Sequence, residues 1–125
     1  MNFEIEQEFV KTYINIKFQN RLLYELSSLK KRINAISRFS HGAQTMLKDS
    51  LKKKVVTNLS NFQNNKDIVY VISFGENDGV TMPLSNALNF LESSYMPIII
   101  IGKDYSIIKE EVEDSRAQIL YFEYK

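Results

Sequence analysis

The chain has 125 residues, of which 44% are hydrophobic and 25% charged, with a formal net charge of +1. That is the length and composition of one globular domain able to bury its own core, and it argues against disorder. With no cysteine and a single histidine, disulfides, thiolate chemistry and cysteine zinc sites are excluded, and no cofactor is expected.

The chain's opening stretch, MNFEIEQEFV, is acidic and lacks the apolar core of a signal peptide. The apolar run PIIIIG is far too short to span a bilayer, so a cytoplasmic protein without a membrane segment is expected. The small net charge hides an asymmetry. Residues 1–65 hold eleven Lys/Arg and five Asp/Glu, a net +6, whereas residues 66–125 hold five and ten, a net −5. Such a dipole suits a charged partner, or the other half of the same molecule.

From Asn2 to about Phe62 the pattern is mostly helical. Phe9, Tyr13 and Ile16 follow helical spacing, and Leu22, Leu23 and Leu26 continue it. Val10, Thr12, Ile14, Ile16 and Phe18 also alternate as a strand would, but the acidic start and the absence of turn signals favour a helix. Ser27 or Ser28 is the expected N-cap of a second helix ending near Ser40, with Gly42 closing it. A third helix is expected from about Gln44 to Phe62, with Leu47, Leu51, Val55, Leu59 and Phe62 along one stripe. QNNKD then reads as a loop.

The second half changes character. IVYVISF (68–74) and PIIIIG (97–102) read as buried strands, and AQILYFEY (117–124) as the last strand. GENDG is a turn, and MPLSNALNFLESS (82–94) a helix with Pro83 near its first turn. DYSIIKEEVEDS has Tyr105, Ile108 and Val112 at helical spacing, although YSIIKE would also suit a hairpin strand. Strand, helix, strand predicts a βαβ unit with parallel strands. The expected fold class is α+β or α/β in one domain. A helical half of two or three helices (1–63) would pack on a three- or four-stranded sheet (67–125).

Three constellations carry the functional expectations. The first is KKRINAISRFSHG, 30–42. On a helix, with Lys30 at zero, Asn34, Arg38, Lys31 and His41 fall at about 40°, 80°, 100° and 20°. Leu29, Ile33 and Ile36 fall at about 260°, 300° and 240°, on the opposite face. Lys30, Lys31, Asn34, Arg38 and His41 would then track a phosphate backbone, or form an ordinary solvated face. The second is KEEVEDS, whose Glu110, Glu111, Glu113 and Asp114 would meet a basic protein partner. The third joins Glu76 and Asp78 to Asp104. In a parallel unit these lie at strand ends where α/β sheets bind ligands, and they would hold a hard cation such as Mg²⁺.

No nucleophile elbow or phosphate loop is present. The expected function is therefore that of a small non-enzymatic binding protein: an immunity- or antitoxin-like inhibitor, or an adaptor, for a charged protein partner. An RNA- or DNA-binding accessory protein using the basic helix is the alternative. A Mg²⁺-dependent phosphotransfer or nuclease enzyme is the second.

Overall fold

The computed structural model describes residues 1–62, 65–93, 97–110 and 118–124, with Ser40 described by its backbone alone. Asn2 accepts the Ile5 N–H at 3.3 Å and caps α1 (Phe3–Tyr13), whose first turn carries Glu4 and Glu6. The alternating pattern over 9–18 leaves a trace at one residue. The helix stops at Tyr13, and Ile14 turns extended and bridges Leu47. Asn15 then caps α2 (Ile16–Ser27) by accepting the Lys17 N–H at 3.1 Å.

Ser28 ends α2 and caps nothing through its hydroxyl. Its carbonyl accepts the N–H groups of Lys31 and Arg32 across a tight turn, and α3 (Arg32–Met46) begins there. Gly42 does not close α3. The helix kinks there (φ −157°, ψ 32°) and continues, because Ala43, Met46 and Leu47 beyond it are drawn into the core.

No third long helix follows. KKKVV pairs as strand β1 (Lys52–Val56), and a 3-10 turn covers Leu59–Phe62. Adjacent β-branched Val55, Val56 and Thr57 disfavour a helix, and the strand finds a partner at the other end of the chain. That partner is β6 (Gln118–Glu123), with Lys52 opposite Glu123 and Val55 opposite Leu120. Residues 105–110 are likewise a strand, β5 (Tyr105–Glu110). Its adjacent Ile107 and Ile108 are both fully buried, one against each face of the sheet.

With β2 (Ile68–Ser73), β3 (Val80–Pro83) and β4 (Ile98–Ile101), these strands make one six-stranded sheet in the order β1-β6-β5-β4-β2-β3. Every pairing is antiparallel, so the fold is α+β, with a larger sheet than the sequence suggested. The parallel βαβ unit is not formed. GENDG closes a hairpin, with Gly79 at φ +78° and its N–H on the Val71 carbonyl at 2.8 Å. The extra strand β3 reverses the chain before α4 (Leu84–Ser93), so β4 returns antiparallel to β2, Ser73 opposite Ile98 and Tyr70 opposite Ile101. Pro83 ends β3 on the outer edge, where its missing N–H breaks no ladder.

Side chains alternate across the sheet and feed two cores. On one face Phe9, Ile14, Phe39 and Leu47 pack on Ile72, Ile99, Ile108 and Phe122. On the other, Leu84, Leu88 and Leu91 of α4 pack on Val71, Ile98, Ile100 and Ile107. Among the described residues, no helix is long and apolar enough to cross a membrane.

Candidate functional site

The turn between α2 and α3 is held from below by a buried arginine. Arg32 is 4% exposed, and each of its five N–H groups has an acceptor. Nη1 and Nη2 donate to the two carboxylate oxygens of Glu6 at 2.6 and 2.5 Å. Nε and Nη2 donate to Asp78 at 2.6 and 2.9 Å, and Nη1 also reaches the Leu26 carbonyl at 3.0 Å. Glu6, itself 1% exposed, also accepts the Tyr70 hydroxyl proton, and the Asn2 N–H donates to that hydroxyl at 3.0 Å. Asp78 accepts the Ser73 N–H at 3.2 Å. Burial pulls the guanidinium pKa down, but the hydrogen bonds and charges of Glu6 and Asp78 outweigh it and hold the group above its ordinary value. Tyr70 is pushed up to about 12, first by burial and then by its bond to Glu6. One side chain thus ties α1, the end of α2, the start of α3 and the β2–β3 hairpin together.

Above this anchor the turn presents an unusual surface. Leu29 is 80% exposed, Ile33 54% and Tyr24 55%, and Lys30 and Lys31 stand among them. Lys31 donates to the Tyr24 hydroxyl at 3.1 Å, with its ammonium 4.7 Å from the ring centroid. Leu29 and Ile33 were expected to face the core beside Ile36, which is 1% exposed. Arg32 has taken the inward position instead. It sits at about 200° on the helical projection, close to Ile36 at about 240° and Phe39 at about 180°. An arginine on the apolar side of the wheel was the one signal in the sequence that pointed to this anchor.

The rest of the expected basic face is divided. Lys30, Lys31 and Asn34 remain exposed near the start of α3. Arg38 instead turns to Glu25, with Nη1 and Nη2 on its two oxygens at 2.6 and 2.9 Å. His41 lies on an exposed turn of α3 just before the kink. Of the acidic cluster, Glu111, Glu113 and Asp114 lie outside the described residues. Glu110 is buried at the end of β5, where the Gln44 amide reaches it at 3.4 Å.

Glu76, Asp78 and Asp104 do not converge. Antiparallel pairing of β2 and β4 puts the loop after β2 and the turn after β4 at opposite ends of the sheet. Asp78 is also already held by Arg32. Among the described residues, no three His, Asp or Glu side chains are placed to hold a metal ion.

A groove of about 950 Å³ runs between α1 and the β4–β5 turn, with Tyr13 in its wall. Glu4, Glu8 and Asp104 line it together with Lys11, Lys48 and Lys103. Burial, then the charges of Asp104 and Glu123, raise the Tyr13 pKa above its ordinary value. The lining charges balance, and no single ligand charge is selected.

These features define an α+β protein with a six-stranded antiparallel sheet, helices on both faces and an anchored basic turn. No family model matches the chain, and no curated protein or solved structure matches it significantly.

Proposed function

We propose that the chain is a non-enzymatic binding protein, an inhibitor or adaptor, that engages an acidic protein partner through the α2–α3 turn. One observation carries this reading: Leu29, Ile33 and Tyr24 are exposed beside Lys30 and Lys31 on a turn fixed by the buried Arg32. Isolated apolar side chains on a surface are ordinary, but here three exposed ones fall within residues 24–33, around one tight turn. A cationic rim steers an acidic partner, and a pre-ordered turn loses little entropy on docking. The partner surface is apolar at its centre and acidic around it. Nucleic-acid binding by Lys30, Lys31, Asn34, Arg38 and His41 is the competing proposal, and bonding of Arg38 to Glu25 weighs against it.

A tagged chain and its Leu29→Ser/Ile33→Ser variant, captured from host lysate with and without nuclease, test the reading. A protein that survives nuclease and is lost with the variant supports it. Material lost on nuclease treatment alone overturns it in favour of nucleic acid, and a protein retained by the variant moves the contact elsewhere.

A further inference from the structure

The sheet has an open edge at β1, far from the α2–α3 turn, which is tied to the hairpin at the other edge. Among the described residues β1 has one strand neighbour, β6, and the main-chain N–H and C=O groups along its other side have no strand partner. Lys52, Lys53 and Lys54 are all exposed, and Val55 is 52% exposed. Side chains alternate along a strand. Lys52 and Lys54 therefore share a face with Glu123 and Tyr121, while Lys53 and Val55 share the other with Phe122 and Leu120. Lys54 lies 5.2 Å over the Tyr121 ring. Among the described residues, none of the three ammoniums makes an ion pair.

We propose that β1 is a strand-addition site for an extended acidic segment of a partner protein. A second β1 laid alongside the first sets lysine against lysine, so the edge opposes pairing with its own copy. The same lysines favour a strand that alternates Glu or Asp with small β-branched residues. Its carboxylates, all on one face, lie beside Lys52 and Lys54, its β-branched side chains lie on the face of Val55, and its main chain completes the open ladder. The charge pattern thus selects against self-association and for an acidic partner in one stroke. The opposite edge is built differently: β3 has four residues and ends in Pro83. This inference does not depend on the turn, because the two surfaces lie at different edges of the sheet.

The test is a titration of isotope-labelled full-length chain, followed by NMR, with a blocked peptide alternating Glu and Val. Its Lys–Val counterpart and a version with a central proline are the controls. Chemical-shift changes and slowed amide exchange are expected at 52–56 with the acidic peptide, and none with the cationic one. Central proline removes a main-chain donor and should weaken binding about tenfold. Lys52→Glu/Lys54→Glu, with fold verified by circular dichroism, should exchange the preference for the Lys–Val peptide. No binding of the acidic peptide at millimolar concentration, shifts confined to other residues, or equal binding of the proline peptide would each overturn the proposal.

Discussion

The Arg32 guanidinium and the Glu6 carboxylate form a two-pronged pair across 26 positions of chain, with both groups buried. Removing Arg32 takes from Glu6, and from Asp78 beside it, the cation that both carboxylates share in a low-dielectric site. Arg32→Ala should cost about 3–5 kcal/mol. Pairing Arg32→Met with Glu6→Leu should cost less than the sum of the single changes, with a coupling of about 0.5–3 kcal/mol. Urea unfolding of the four proteins measures both. An Arg32→Ala midpoint equal to that of the parent chain would show that the cluster contributes no stability.

Alkali should unfold the protein through its tyrosines. Tyr70 and Tyr121 are both pushed up to about 12 from 10.0, each first by burial and then by a carboxylate accepting its proton, Glu6 and Glu123 respectively. Tyr105 is raised by burial and its bond to Asp67. The folded chain prefers these phenols neutral. Their contribution is therefore complete below about pH 10 and is lost as pH rises towards about 12. Unfolding midpoints should fall across that window, and tyrosinate absorbance of the folded chain should lag that of the unfolded chain. Tyr70→Phe should flatten part of the fall.

Ile33 and Ile36 lie three residues apart on α3 and should respond in opposite ways. Ile36→Ala empties a core position and should cost about 2–5 kcal/mol. Ile33→Ala should change stability by no more than about 0.5 kcal/mol while weakening capture of the partner. Lys30→Glu/Lys31→Glu should likewise leave unfolding unchanged and abolish capture. Thermal unfolding and pull-down of the same preparations separate the two effects, and a large stability loss from Ile33→Ala would place that side chain in the core.

Gly102 should not tolerate a methyl group. A Cβ there would stand 2.4 Å from Cζ of Tyr105. That ring is stacked on Tyr121 at 5.6 Å and bonded to Asp67 at 3.0 Å, so it has no easy way to move. Gly102→Ala should cost about 1–3 kcal/mol. Adding Tyr105→Leu should recover part of that loss relative to Tyr105→Leu alone, again read by urea unfolding.

Elements with strong local patterns were legible in the sequence. The unbroken apolar runs behind β2 and β4 and the apolar stripe of α4 need no distant information. What escaped depends on partners remote in the chain. KKKVV reads as a strand only once β6 lies beside it, and the spacing of Leu47, Leu51, Val55 and Leu59 imitates a helix meanwhile. The parallel unit failed because VTMP is too short to announce itself as a strand, yet it reverses everything after it. At the turn, locating the lysines was straightforward. The inward arginine was not recognised, because Glu6 and Asp78 lie 26 and 46 positions away.

The position of β6 in the sheet also governs how the protein emerges during synthesis. Of the six strands described, β6 is made last, yet it sits second in the sheet and supplies Leu120 and Phe122 to the core under α1–α3. Translation at about 5–20 residues per second takes seconds to travel from Val56 to Gln118. Throughout that interval KKKVV lacks β6, the strand it pairs with, and the helices lack part of the surface on which they close. Three adjacent positive charges keep the waiting segment hydrated and away from other nascent chains.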